Sequence, residues 1–259
     1  MEKQCLLETK GKVAVITINR PPMNTLSRDT IKELDVILTE LEANDSIGAV
    51  ILTGAGDKMF SAGADVSEFG DFSDREKAKQ TVQGIHEIFN RIESFPKPII
   101  ASVNGKALGG GNELQMACHL TIASDAAEFG LPEVRLGIIP GYGGTQRLPR
   151  LIGRRRALEL ALSGDRVSAE KALEYGLVNK VVPQNVLRDQ TLNWATELAD
   201  GPPLAVKGIL EAVVKGSEQP LQDGLSIELE HMLKVSRSED AIEGVSAFFA
   251  KRKPEFKGR

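Results

Sequence analysis

The feature that most restricts the fold of this 259-residue chain is a rhythm. Short apolar runs rich in β-branched residues alternate with longer segments whose apolar residues recur at helical spacing. The short runs lie at 13–18, 49–53, 99–103, 120–123 and 178–182, and each ends near Gly, Pro, Asn or Asp, so they read as strands. Between them, Ile31, Leu34, Ile37, Leu38 and Leu41 share one helical face, and Ile85, Ile88, Phe89 and Ile92 share another. Strands alternating with helices specify an α/β fold. After about Pro183 the rhythm stops. Segments 187–198, 204–214, 221–235 and 239–249 all read as helices, punctuated by Gly201-Pro202-Pro203, Gly216 and Pro220. A strand-containing core followed by a helical tail is expected. Phe248, Phe249 and Phe256 of that tail need a surface to pack on, either the core or another subunit.

Composition narrows function by exclusion. With 32 basic and 36 acidic residues the net charge is −4, so there is no global positive field to draw in nucleic acid or an anionic membrane. Two basic clusters, one of Arg147, Arg150, Arg154, Arg155 and Arg156 and one of Lys251, Arg252, Lys253, Lys257 and Arg259, lack interleaved aromatics and read as solvated or ion-paired faces. Cys5 and Cys118 with His86, His119 and His231 are too few and too scattered for a disulfide framework or a zinc site, so no metal is expected and a reducing compartment is. The three histidines read as structural or surface residues. The start, Met1-Glu2-Lys3-Gln4, has no leader pattern, and no apolar run is long enough to span a bilayer. The expected location is the cytoplasm; a matrix protein stripped of its leader would look the same.

Three glycine stretches invite a nucleotide-binding reading, and counting removes it. The pattern G-x-G-x-x-G fails after Gly109 and Gly111 at Leu114, after Gly141 and Gly143 at Gln146, and after Gly54 and Gly56 at Met59. The phosphate-loop pattern fails because, after Gly105 and Gly110, Gly111 and Asn112 stand where Lys and then Ser or Thr are needed, and no G-x-S-x-G elbow occurs. A different chemistry suits "NGKALGGGNELQMA" at 104–117. A strand ends before it and a helix starts at about Gly111, with first amides that lack intrahelical partners and face the positive end of the helix dipole. Gly109 and Gly110 let a substrate carbonyl approach the backbone, and Glu113, three residues after Gly110, falls on the same side. The alternative for this stretch alone is a packed glycine loop with Glu113 favoured at a helix start. Two further segments bear on the choice. In "KMFSAGADVSEF" at 58–69, Ser61-Ala62-Gly63-Ala64 can present a second backbone N–H and Asp65 can cap the next helix. In 129–153, Pro132 and Glu133 open a short helical turn before another glycine loop carrying Tyr142, a residue suited to an acyl pocket or to loop packing.

Taken together, Asp65 within "FSAGAD", Glu113 within "ALGGGNEL" and Glu133 within "FGLPEVRLGIIPGYGGTQRLPR" resemble the enoyl-CoA hydratase/isomerase family, or crotonase superfamily, and the likeness runs from "VAVITINRPPMNTLS" to "FFAKRKPEF". The resemblance implies a spiral of β-β-α turns over residues 1–195 and a helical region at 196–259 that mediates assembly as a homotrimer or a homohexamer. It implies an oxyanion hole from the N–H groups of Ala62 and Gly110, and acyl-CoA contacts from Ala62, Gly63, Ala64 and Asp65, to which the reading of the two glycine loops adds Gly109, Gly110 and Tyr142 as candidate substrate-binding residues. Phe248 and Lys251 are expected near the nucleotide of coenzyme A, often from an adjoining subunit. Glu113 and Glu133 are the expected catalytic pair, one activating water and the other delivering a proton to the α-carbon. Asn112 departs from the Cys or Leu usual before the first glutamate. The implied activity is hydration of a trans-2-enoyl-CoA thioester, with coenzyme A part of the substrate and no separate cofactor. The rivals are a Δ3,Δ2-enoyl-CoA isomerase, which needs one carboxylate, another acyl-CoA enzyme of the same superfamily, and a non-catalytic RNA-binding relative.

Overall fold

A computed structural model describes residues 3–68 and 74–259. Met1, Glu2 and Phe69, the last residue of the 58–69 segment, lie outside them. Strand β1 (Cys5–Lys10) pairs antiparallel with β2 (Val13–Ile18), and β3 (Ala49–Gly54), β5 (Ile99–Val103), β7 (Leu120–Ser124) and β10 (Lys180–Val182) continue the sheet in parallel, in the order β1-β2-β3-β5-β7-β10. A smaller sheet has the order β4-β6-β8-β9: β4 (Met59–Ser61), β6 (Lys106–Leu108) and β8 (Glu128–Gly130) run parallel, and β9 (Arg166–Ser168) is antiparallel to β8. The helices are α1 (Arg28–Ala43), α2 (Arg75–Glu93), α3 (Gly110–Ala117), α4 (Gly144–Ile152), α5 (Arg154–Ser163), α6 (Ala169–Tyr175), α7 (Leu187–Ala199), α8 (Pro203–Gly216), α9 (Leu221–Val235) and α10 (Glu239–Ala250). From β3 onward the chain lays one strand in the large sheet, one in the small sheet and then a helix, three times over. The result is the expected spiral of β-β-α turns.

The inner strands of the large sheet, β2, β3, β5 and β7, are covered on both faces, which is why they appear in the sequence as unbroken apolar runs. Alternate residues of β2 divide between the two sides. Ala14, Ile16 and Ile18 join Leu34, Leu38, Phe60, Phe89 and Phe129 in the main core, whereas Val13 and Val15 join Ile51, Ile100 and Ile122 beneath Leu187, Ala195 and Ala199 of α7. Helix α7 packs on the sheet through Ala199, so a boundary drawn at residue 195 falls inside this helix.

Helix starts follow their caps. Ser27 accepts from the Thr30 N–H at 3.1 Å to begin α1, and Asp74 accepts from Glu76 and Lys77 to begin α2. Strands β4, β6, β8 and β9 have three residues each, too few to display an alternation, and only the fold reveals them. In the tail, α8 and α9 pack on each other, and buried Asp240 of α10 accepts from the Lys257 and Gly258 N–H groups at 2.6 and 2.8 Å, pinning the last residues. Ile209, Val213, Leu221, Leu229, Phe248 and Phe249 remain exposed, while Phe256 is half-buried against Gly244.

Candidate active site

Because β4, β6 and β8 run parallel, with Ser61 opposite Ala107 and Leu108 opposite Gly130, the segments leaving their C-terminal ends lie side by side. These segments are Ala62-Gly63-Ala64, then Gly109-Gly110 with α3, then Leu131-Pro132-Glu133. The first two touch backbone to backbone. Gly63 has φ +90, and a Cβ there would stand 2.5 Å from the Gly110 nitrogen, so both the conformation and the space demand glycine. Between the segments opens a cavity of about 320 Å³ lined by Ala62, Ala64, Gly109, Gly110, Glu113, Glu133 and Tyr142, with Val66, Val82, Leu136, Ile138 and Ile139 as apolar wall.

One expected donor is corrected here. The Ala62 N–H is spent on the Met23 carbonyl at 2.9 Å and is not available to a ligand. Two residues on, the Ala64 N–H has no acceptor among the described residues, and neither does the Gly110 N–H at the start of α3. A Cβ on Gly110 would lie 3.2 Å from the Ala64 nitrogen, so the two bare groups face the same small volume. An oxygen placed there can accept from both. The Ala62–Asp65 turn is held from behind: Asp65 accepts from the N–H and hydroxyl of Ser67, as a cap would, and its other oxygen is 2.6 Å from Arg20 Nη1. Gly63 and Asp65 therefore build the wall without lining the cavity.

Glu113 sits in the first turn of α3, and its side chain is almost wholly buried. Its Oε1 accepts from the Tyr142 N–H at 2.8 Å and the Gly144 N–H at 2.6 Å, so the second glycine loop cradles this carboxylate. Burial pushes the Glu113 carboxyl up to about 7; the Gly144 and Tyr142 amides and Arg147 pull against burial, and the Glu133 charge pushes with it. Glu133, in a 3₁₀ turn at Pro132–Leu136, is also raised by burial, and its Oε2 is enclosed with no hydrogen-bond partner among the described residues. Both carboxyls face one apolar cavity and both resist ionisation through burial, so this pair retains a proton more readily than exposed glutamates would. Asn112 is buried beside them. Its Nδ2 donates to the Gly130 carbonyl at 3.3 Å and its Oδ1 accepts from Gln115, tying α3 to the strand that leads to Glu133.

The Tyr142 ring lines the cavity and meets Phe89 edge-on at 6.1 Å. Phe248 and Lys251 are exposed and do not line it, so a single chain does not bring them to the site. Arg147 leaves the basic cluster in which the sequence places it: it is buried, with Nη2 2.8 Å from Glu93 Oε2 and 2.7 Å from Asn90 Oδ1, and it clamps α4 to α2. Arg156 lies over the Tyr175 ring, and Arg252 pairs with Glu243. Residues that the sequence reading missed are Ala64 as donor and the polar stripe His86, Asn90 and Glu93 on α2. The stripe's i, i+4, i+7 spacing is visible in the sequence; what it faces is not.

The enoyl-CoA hydratase/isomerase family matches residues 8–259. A short-chain-enoyl-CoA hydratase of Clostridium acetobutylicum is 45% identical over 256 residues, covering 98% of each chain. A crotonyl-CoA hydratase of Syntrophomonas wolfei is 41% identical, covering 97% of this chain and 96% of its own. The crystal structure of an enoyl-CoA hydratase from Bacillus anthracis superposes with a TM-score of 0.95 at 42% identity, over 99% of this chain and all of the other.

Proposed function

The chain belongs to the enoyl-CoA hydratase/isomerase family, and from that premise we infer that its cavity adds water reversibly to a trans-2-enoyl-CoA thioester to give the 3-hydroxyacyl-CoA. The observation that carries this reading is the meeting of two unspent N–H groups, the buried Glu113 carboxyl and the half-buried Glu133 carboxyl in one apolar cavity. Addition of water to the β-carbon drives negative charge onto the thioester oxygen. The Ala64 and Gly110 N–H groups receive that charge; loss of one such donor costs about 2.7–4 kcal/mol of transition-state stabilisation. Glu113, its Oε1 fixed by two amides, takes a proton from the attacking water, and Glu133 delivers one to the α-carbon; in dehydration the roles reverse. Proton transfers of this kind contribute about 10² to 10⁴-fold in rate. The step moves no redox electrons, so it calls for no redox group, and coenzyme A enters as part of the substrate.

An isomerase shifts one proton and needs one carboxylate, so the pairing of Glu113 with Glu133 favours hydration. The test is loss of the conjugated enoyl-thioester absorbance with a short trans-2-enoyl-CoA. Absence of that loss, or full activity in the double variant Glu113→Gln with Glu133→Gln, overturns the reading. The exposed apolar faces of α8–α10 are assigned to contacts between copies in a homotrimer or homohexamer, which would bring Phe248 and Lys251 of one copy toward another's site; light scattering should give three or six times the chain mass. The reducing compartment expected for two free thiols, Cys5 and Cys118, is the cytoplasm.

A further inference from the structure

The glycine loop that cradles Glu113 is itself held from the outside by α2. His86 Nε2 lies 2.7 Å from the Gly141 carbonyl oxygen. A carbonyl can only accept, so Nε2 carries the proton whatever the charge on the ring. The peptide unit that presents this carbonyl is the one whose N–H, on Tyr142, donates to Glu113 Oε1 at 2.8 Å. The chain of contacts is thus His86 N–H to Gly141 C=O, then Tyr142 N–H to the Glu113 carboxylate. One turn further along the same helix face, Asn90 and Glu93 hold Arg147, whose Nη1 donates to the Tyr142 carbonyl at 3.4 Å. Both carbonyls that flank the cradling amide therefore receive donors anchored on α2.

We propose that His86 is a positioning residue for the reaction: through the Gly141–Tyr142 peptide it aims and strengthens the N–H that holds the Glu113 carboxylate. The physics is cooperative hydrogen bonding, in which a donor on a peptide's oxygen polarises that peptide and makes its own N–H a better donor; each bond gains on the order of 10–30%. Glu113 is where this strengthening has an effect, because its proton affinity is set by a balance of opposed influences. Burial and the Glu133 charge favour the neutral acid, while the Gly144 and Tyr142 amides and Arg147 favour the carboxylate. The Tyr142 phenol, the remaining titratable group facing it, is neutral because burial raises it. His86 itself lines no part of the cavity and touches no reacting atom, so it acts through the loop whose Tyr142 N–H holds Glu113.

The assignment rests on Glu113 being the base of the proposed hydration, and the test separates the two. His86→Ala removes the donor, His86→Asn leaves an amide too short to reach, and His86→Gln places an amide N–H where Nε2 stood. The acid limb of the kcat/KM profile is expected to move up by about half a pH unit in the Ala and Asn variants, a loss of about threefold below the limb, and to stay in place in the Gln variant. The Glu113 carboxyl band in infrared titration, assigned by its absence in Glu113→Gln, should shift likewise. An unmoved limb and band in both Ala and Asn, or an equal shift in Gln, overturns the proposal. If the wild type hydrates no enoyl-CoA, the functional reading falls while the infrared titration still decides the role of His86. If the Ala variant does not fold, the Asn variant carries the comparison.

Discussion

Gly110→Ala puts the proposed oxyanion site under direct stress. The position has helical backbone, so alanine brings no conformational strain, and by propensity alone it favours the helix by about 1 kcal/mol. The damage is spatial. The added methyl would stand 2.8 and 3.1 Å from Tyr142 Cδ2 and Cε2, against the roughly 3.5–4.0 Å at which carbon atoms rest. The ring cannot simply retreat, because it packs on Phe89 and its own backbone N–H is bound to Glu113. The methyl would also lie 3.2 Å from the Ala64 nitrogen, about where an accepting oxygen must sit. Overpacking should cost about 1–3 kcal/mol of stability. Displacing the oxygen from one donor should cost about 2.7–4 kcal/mol in the transition state, a fall in kcat of about 10² to 10³. Hydration of a short trans-2-enoyl-CoA, monitored by loss of absorbance at a temperature well below the variant's melting point, measures it. The control is Gly84→Ala within α2, where an added Cβ meets nothing within 4 Å. A folded Gly110→Ala protein within about threefold of the wild-type kcat would refute the assignment of this oxyanion site.

The same geometry sets further outcomes. The Glu113 carboxyl sits at about 7 in the folded chain against 4.5 for an ordinary glutamate, so between those pH values the folded state binds a proton that the unfolded state has released. Stability then falls as pH rises through that window, by about 3 kcal/mol in all; Glu113→Gln should match the wild type in acid and melt higher at about pH 8, and identical melting curves there would contradict the buried-acid account. Glu133→Gln should lower kcat by about 10² to 10⁴ with little change in KM, whereas a change confined to KM would make Glu133 a binding residue. Arg147→Met removes charged hydrogen bonds joining α4 to α2 and should cost about 2 kcal/mol in denaturant unfolding; no loss would show that the clamp adds nothing to stability. Deleting residues 248–259 should weaken coenzyme A binding if Phe248 and Lys251 reach a neighbouring site, and unchanged affinity would argue against that contact.

Much of this molecule is legible in its amino-acid order, and the limits of that legibility have physical causes. Strands β2, β3, β5 and β7 of the large sheet are visible because burial on both faces makes them continuous apolar runs, whereas the half-exposed edge strand β1 is not, and α1, α2 and α7–α10 are visible because a helix repeats its apolar face over several turns. Glu113 and Glu133 are visible because each comes after a glycine or proline turn in a motif long enough to carry a resemblance. The three-residue strands of the small sheet are not legible, since they complete no period, although they align the ends of β4, β6 and β8 and so create the cavity. Residue type could not separate Ala62 from Ala64 as donor, because both are alanines in one tight turn. The choice depends on which N–H the chain has already spent, and Met23, nearly forty residues earlier, takes the first. The sequence reads His86 only as a structural or surface residue and Arg147 only as part of a solvated or ion-paired face for a similar reason: hydrogen-bond partners 55 and 54 residues away are invisible along the chain. Local order thus determined the elements, the core faces and the chemical groups available. Tertiary structure decided which of those groups remain unpaired, because hydrogen bonds are exchanged between segments that only folding brings together.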